Sequence, residues 1–548
     1  MLHKAFHRCP RHAIVLAALL GGLSLFARAA GAGSIQVVSR ADPQDPLNPS
    51  VTANGDNVIS DVPQSIPFVR TSMSNDGRFI AFSSTSTNLI PGLNDQNQTW
   101  DVFLYDRRDR SMSLVSRKVG ASFATANGRS GDAVISGDGR FVTFTSDAMD
   151  LTTRTDTSQT PNVYLYNRTT GTVSLVSASL SSPTTAGGSS GGPAISDDGR
   201  YVAFFSLATN LVQEQIIQPS NIFEFPTNVF LFDRIAGTTV LVSRSAGGGT
   251  SGNHPSGITL TMSGDGRYIA YNSSATDLVP GGITNDLGAV VLYDRKTGTN
   301  TLVSHSVGST SNGSNEEAIN PVISHDGRYV AYESAATDLV PGQIDTNGTS
   351  DVFLYDREEG RTILVSRSSL SSVTTGNCTS FLPYPDGDGR HITFTSCATD
   401  LVTGVNDGNG TLDILLFDRE TGKTELVSHS AADLTSTGNA FSDQAVISRN
   451  GRYVAYRSTA TDLIPGQIDI PYSFDLFLYD RESRLTTLVS HALGAPQQAG
   501  IGSDAPGLSP NGQYLVFGSG SSDLVEGDGN GLVDIFLVHH PGGEDGDD

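Results

Sequence analysis

One pattern recurs along nearly the whole chain, and a repeat of fixed period leaves few folds open. Its clearest copy starts at Pro321-Val-Ile-Ser-His-Asp-Gly-Arg-Tyr-Val-Ala-Tyr-Glu-Ser. It continues at Ala336-Thr-Asp-Leu-Val-Pro-Gly and Asp351-Val-Phe-Leu-Tyr-Asp-Arg and ends at Thr362-Ile-Leu-Val-Ser. The turn glycine returns at Gly77, Gly139, Gly199, Gly266, Gly327, Gly389, Gly451 and Gly512, eight copies spaced by 60 to 67 residues. Each copy holds four short runs of β-branched and aromatic residues separated by Asp-Gly, Asn-Gly, Pro-Gly or Thr-Gly, which predicts four antiparallel strands. Runs such as Tyr329-Val-Ala-Tyr are apolar on both faces, as a sheet sandwiched between two neighbours requires. The prediction is an all-β, eight-bladed β-propeller of four-stranded antiparallel blades. The last copy stops at its third strand, Asp534-Ile-Phe-Leu-Val, and an orphan strand, Ile35-Gln-Val-Val-Ser, opens the chain, so the N-terminal strand is expected to complete the last blade.

Composition agrees with many turns and few helices: 59 of 548 residues are glycine and only 17% are charged. The formal charge of -23 argues against nucleic acid and against an anionic lipid surface. Lys4, Arg8 and Arg11 precede an apolar run from Ala13 to Phe26 and small-residue sites ending at Ala29 and Ala32. Residues 1–32 therefore read as a signal peptide, which implies a periplasmic or secreted protein. No later run is long enough to span a bilayer, so no membrane insertion is expected after cleavage, and the product is expected to be a monomer. Residues 33–540 form the propeller, and 541–548 an acidic disordered tail. Cys378 and Cys397 flank Asp386-Gly-Asp-Gly389; a hairpin centred between Gly387 and Asp388 would set them opposite one another as a disulfide, the alternative being two buried thiols.

The Ser-x-Asp-Gly-Arg-Tyr-Val-Ala-Phe/Tyr and Asp-Val-Phe-Leu-Tyr-Asp-Arg motifs resemble the WD40-like (PD40-type) repeats of the TolB-like β-propeller family, over nearly all of residues 35–540. The resemblance implies the fold and leaves activity open, because such repeats serve periplasmic interaction proteins and peptidase propellers alike. The chain shows neither the N-terminal α/β domain of TolB nor the C-terminal hydrolase domain of the peptidases.

With strands lettered a to d outward from the axis, the short a-b and c-d turns share one face, and the long b-c and d-a connections share the other. Binding is expected on the long-loop face. On the short-turn face, the Arg opening strand b should pair with the Asp closing strand c, as Arg328 with Asp356 and Arg267 with Asp294, a structural role. Four b-c loops carry Asp-x-Asn-x-x-x-Asp: Asp95, Asn97, Asp101; Asp345, Asn347, Asp351; Asp407, Asn409, Asp413; and Asp528, Asn530, Asp534. Such spacing suits calcium, and equally suits turns capped by Asp and Asn. After each Val-Ser stands Arg40, Arg117, Arg244, His305, Arg367, His429 or His491, Ala178 being the exception; this rim could receive an acidic partner or pair locally. Trp100 could stack on a sugar or pack.

Linear catalytic motifs are absent: Gly187-Gly-Ser-Ser-Gly191 lies in a Ser/Gly-rich connection and lacks the strand–turn–helix setting of a nucleophile elbow. The leading expectation is a non-catalytic scaffold that binds a protein or glycan through its long-loop face, stiffened by calcium. The alternative is a propeller enzyme, a polysaccharide lyase or a hydrolase or phosphoesterase using a calcium site. The axis discriminates: His, carboxylate and Arg converging there favour the enzyme, and apolar or small residues favour the scaffold.

Overall fold

The computed structural model describes residues 34–41, 51–59, 73–153, 160–180, 186–214, 216, 227–284, 287–470 and 472–540. The expected signal peptide and acidic tail lie outside them. The described residues contain eight four-stranded antiparallel sheets, each in the order a-b-c-d, arranged as an eight-bladed propeller. The fifth blade, for example, comprises Ala318–Ile323, Tyr329–Ser334, Asp351–Asp356 and Arg361–Leu364. Among the described residues no helix is long and apolar enough to cross a membrane.

Alternation along strand b explains how the blades stack. In the fifth blade Val330 and Tyr332 pack with Tyr268 and Ala270 of the fourth, while Tyr329 and Ala331 pack with Ile392 and Phe394 of the sixth. Successive side chains point to opposite faces of a strand, so a run apolar at every position supplies two cores at once. The ring closes as the orphan strand predicts: Ile35–Val37 pairs antiparallel with Asp534–His539 at the outer edge of the eighth blade. Ser39 Oγ donates to Asp534 Oδ1 at 2.7 Å across the join.

Inner strands carry a feature absent from the periodicity. Their register with strand b slips in seven blades, between Gly131 and Val134 in the second and between Ile319 and Val322 in the fifth. At these bulges Asp132, Asn320, Leu382 and Gln444 adopt positive φ. The bulge also corrects the cysteine register. Ser380 pairs with Ser396 and Pro385 with Ile392, so the hairpin is not uniformly centred between Gly387 and Asp388. Cys378 and Cys397 lie just beyond the paired residues and are joined as a disulfide.

Candidate active site

Seven of the eight a-b turns share one motif, Ser-x-Asp-Gly or Ser-x-Asn-Gly, and the sixth has Asp386 in place of Ser. The Ser of Ser-x-Asp-Gly accepts the amide of the residue that opens strand b, as Ser324 does from Tyr329 at 3.0 Å, and the following Asp caps the turn. Turn glycines such as Gly327, at φ 76°, take the left-handed conformation and press on the preceding blade's ring, here Tyr268. The x residue of each turn then stands nearest the axis. Around the ring these residues are Asn75, Gly137, Asp197, Gly264, His325, Gly387, Arg449 and Pro510.

Backbone hydrogen bonds run from x residue to x residue: Asn75 N to Gly137 O at 2.8 Å, Asp197 N to Gly264 O at 2.8 Å, Gly264 N to His325 O at 2.9 Å, and Gly387 N to Arg449 O at 3.0 Å. The alternation with glycine has a steric cause. A Cβ on Gly137 would stand 2.5 Å from both Asn75 Nδ2 and Asp197 Oδ1, and one on Gly264 would fall on the His325 imidazole. Three of the even-numbered blades therefore keep glycine, the eighth has Pro510, and the odd-numbered blades supply the four polar side chains of the mouth.

Those four meet. His325 Nε2 lies 2.7 Å from Asp197 Oδ2 and, facing a carboxylate, carries the proton. Asn75 Nδ2 donates to the same oxygen at 3.3 Å, Arg449 Nη1 approaches it to 3.6 Å, and Arg449 Nη2 donates to Asn75 Oδ1 at 3.2 Å. Burial pushes the Asp197 carboxyl up, but His325 and Arg449 outweigh it and hold the group below the ordinary carboxylate range. Burial pulls the Arg449 guanidinium down while Asp197 supports its charge. The side chains of His325 and Asp197 remain 34% and 36% exposed, so the pair is open to solutes. Beneath it the axial channel is a 170 Å³ void with walls that include Met73, Val134, Ile195 and Met262. The channel is therefore apolar within and polar at the short-turn mouth.

Farther from the axis, the expected Arg–Asp pairs form: Arg78–Asp106 at 2.7 Å, Arg200–Asp233, Arg267–Asp294, Arg328–Asp356, Arg390–Asp418 and Arg452–Asp480. In the second blade, where Asn167 replaces the Asp, Arg140 turns to Asp138. Each of these Arg residues except Arg390 also lies over the ring that follows it, and so does the next blade's c-d Arg, except at Tyr453, which meets His540 instead. Tyr329, for instance, lies between Arg328 at 5.0 Å and Arg419 at 4.4 Å. The sixth blade breaks the pattern. Asp386 stands where the other blades have Ser, and His391 where they have Tyr or Phe; His391 Nδ1 and Asp386 Oδ2 are 2.7 Å apart and buried.

The long-loop residues are placed as follows. In each Asp-x-Asn-x-x-x-Asp loop the last Asp takes the hydroxyl of the Ser that follows strand d: Asp101 from Ser116, Asp351 from Ser366, Asp413 from Ser428 and Asp534 from Ser39. Asp95, Asp345 and Asp407 accept backbone amides of their own turns, and Asp528 accepts the Thr52 hydroxyl. Asn97, Asn347, Asn409 and Asn530 donate to carbonyls of the neighbouring connection, at 2.8 Å from Asn347 to Gly376. Among the described residues no group of three or more His, Cys, Asp or Glu is arranged to hold a metal ion. The rim cations reach the next blade: Arg244 and Arg367 donate to Gly298 O and Gly422 O, Arg117 lies over Tyr166, and His305 and His429 meet Tyr355 and Tyr479 edge-on. His491 bonds the Ala492 carbonyl, and Arg40 bridges to Thr52. Trp100 is half-buried.

Solved structures similar to the chain include an oligogalacturonate lyase in complex with manganese, at 12% identity over 93% of this chain and 98% of that one, TM-score 0.43. Dipeptidyl peptidase 4 of Porphyromonas gingivalis matches at 12% identity over 90% and 65%, TM-score 0.46. TolB of Acinetobacter baumannii matches at 15% over 70% and 77%, TM-score 0.32. No protein-family model and no curated protein matches the sequence. At these identities the likeness is one of fold. The expectation of a non-catalytic scaffold is corrected on the geometry of the axis: His, Asp and Arg converge there, so the enzyme alternative fits better. Sequence reasoning missed this site because it looked to the long loops; the signal was the one variable column, x, inside an otherwise repeated motif.

Proposed function

We propose that the chain is an exported, catalytic propeller of the TolB-like repeat type that performs general acid–base chemistry on an anionic substrate at the short-turn mouth of its axis. The carrying observation is the convergence of His325, Asp197 and Arg449 from the fifth, third and seventh blades on one exposed point. Asp197 fixes the imidazole with its proton on Nε2, which leaves the Nδ1 lone pair as base. Arg449 supplies a positive charge beside it for a carboxylate or phosphoryl oxygen. On a uronate this arrangement supports elimination. His325 takes the proton from the carbon next to the carboxylate, that C–H pair becomes the new double bond, and the bond to the leaving sugar oxygen breaks. Arg449 stabilises the charge that builds on the carboxylate, and the departing oxygen takes a proton from solvent.

The test is turnover of acidic oligosaccharides, neutral oligosaccharides and phosphomonoesters by the wild type, His325→Ala, Asp197→Asn and Gly264→Ala. A lyase raises ultraviolet absorbance from its unsaturated product, and a hydrolase releases new reducing ends or phosphate without it. Loss of the base is expected to lower kcat by roughly 10²- to 10⁴-fold. Gly264→Ala is expected to behave like Asp197→Asn, since its methyl displaces the imidazole. Turnover that survives all three changes, or none on any acidic substrate, removes this reading.

A further inference from the structure

The interface between the sixth and seventh blades differs from the others in a way that turns do not require. At five interfaces a benzene ring lies against two guanidinium groups, as Phe79 with Arg78 and Arg168, Tyr201 with Arg200 and Arg295, and Tyr329 with Arg328 and Arg419, while Tyr453 and Tyr514 each meet one guanidinium and one imidazole. Here the ring position holds the smaller imidazole of His391, which lines a 380 Å³ depression on the short-turn face together with Arg390 and Arg481. It is walled by His325, Asp386, Asp388, His391 and the three cations Arg390, Arg449 and Arg481.

Two buried polar atoms in this wall have no hydrogen-bond partner, His391 Nε2 and Arg390 Nε. The His391 side chain is only 5% exposed, and its Nδ1 is held by Asp386. Arg390 also departs from its counterparts. Arg267 and Arg328 engage their aspartates through both Nε and Nη2, whereas Arg390 reaches Asp418 through Nη2 alone at 3.2 Å. An unmade hydrogen bond on a buried group costs about 1–3 kcal/mol, and two such groups beside three arginines in an acidic protein call for a ligand. The facing carboxyls do not meet these two atoms: Asp386 is engaged by His391 Nδ1, Asp388 accepts the Arg390 amide, Asp418 pairs with Arg390 Nη2 and stands 3.9 Å from His391 Nε2, Glu420 pairs with Arg390 Nη1 at 3.0 Å, and burial pushes Glu425, on the outer strand, up toward its neutral form.

We propose that the depression between the sixth and seventh blades is an oxyanion subsite, in which Arg481, Arg390 and His391 hold a carboxylate or phosphate group. His325 lines both this depression and the axial channel. The subsite therefore deepens the proposed function by placing a second anionic group of the substrate beside the reacting one, and it rests on that reading only for what the binding is for. Its volume accommodates a single sugar ring.

Titration calorimetry with a uronate monosaccharide and with inorganic phosphate tests the subsite directly. Arg481→Gln is expected to weaken binding of the preferred probe tenfold or more, and so is the double change Asp386→Ser, His391→Tyr, which restores the residues of the other blades. Arg419→Gln, the same substitution at the filled interface between the fifth and sixth blades, is expected to leave binding within twofold. A preference for the uronate assigns a sugar carboxylate, and a preference for phosphate assigns a phosphoester. Absence of binding by the wild type, or equal weakening by Arg419→Gln, overturns the proposal. Asp197→Asn separates it from the proposed catalysis, with turnover lost and binding kept. A wild type that binds a probe but turns nothing over leaves the subsite standing and removes the catalytic reading.

Discussion

If the sixth blade gives up packing for a site, restoring the common residues should stabilise the protein. In the double variant Asp386→Ser, His391→Tyr, the new ring lies between Arg390 and Arg481, as Tyr329 lies between Arg328 and Arg419 at 5.0 and 4.4 Å. Each guanidinium–ring contact at a partly exposed site contributes about 0.5–1 kcal/mol. Removing the orphaned Nε2 of His391 relieves about 1–3 kcal/mol. Against this stands the lost His391–Asp386 hydrogen bond, about 1.5–3 kcal/mol. Serine recovers part of that loss by accepting the residue-391 amide, as Ser448 accepts the Tyr453 amide at 2.9 Å. The balance is a gain of about 1–2 kcal/mol, read as a higher urea midpoint at unchanged m-value. The single changes should not share it. His391→Tyr alone leaves Asp386 buried without its imidazole, and Asp386→Ser alone leaves His391 with two unmet nitrogens, so the double-mutant cycle should show coupling of about 1–3 kcal/mol. A double variant less stable than the wild type at the same m-value would refute the reasoning and make the His–Asp pair an ordinary structural cap.

Two further outcomes follow from buried carboxyls. Glu333 is buried, accepts the Leu382 amide at 2.9 Å, and is raised by desolvation to about 7. A carboxyl raised in the folded state contributes stability that is full below its unfolded value near 4.5 and lost as pH rises through about 7. Glu333→Gln should therefore gain up to about 3 kcal/mol over the wild type in urea denaturation at pH 8, and little at pH 4; an equal effect at both would show that the group does not titrate there. Asp345→Ala removes the cap of its b-c loop, where Oδ1 accepts the Asn347 and Gly348 amides at 2.9 Å. It should cost about 1 kcal/mol equally in calcium and in chelator; a loss seen only in calcium would assign the loop to a cation.

The fold was legible because its evidence is periodic along the chain. Strand b of each copy shows both of its packing faces in four consecutive letters, and the Ile35 strand is short of a partner in the same way that the last copy is short of a strand. The Arg328–Asp356 pair was legible for the same reason, since both residues repeat and the strand pairing sets them side by side. The cysteines were harder, because the bulge between Phe381 and Tyr384 shifts the hairpin register and no periodicity marks a bulge.

The site is of another kind. Asp197, His325 and Arg449 are separated by more than a hundred residues and meet only because each occupies the same column of a different copy, where rotation about the axis brings equivalent positions together. Reading along the chain treats that column as noise, and reading across the copies shows what it contains. An alternation of glycine with Asn, Asp, His and Arg, broken only by Pro510, is what a crowded axis imposes, since a Cβ on Gly264 or Gly387 would meet His325 or Arg449. The identity of the residues that do project is free of that constraint. Steric need explains why glycine separates the four polar side chains at the mouth, and it does not explain why three of them form a charged, hydrogen-bonded acid–base set. The sixth copy adds a second departure, Asp386 with His391, next to that set and nowhere else in the ring. In a repeat protein whose other columns are held by packing, joint departures that leave polar atoms unmet mark the place where the sequence serves chemistry rather than the fold.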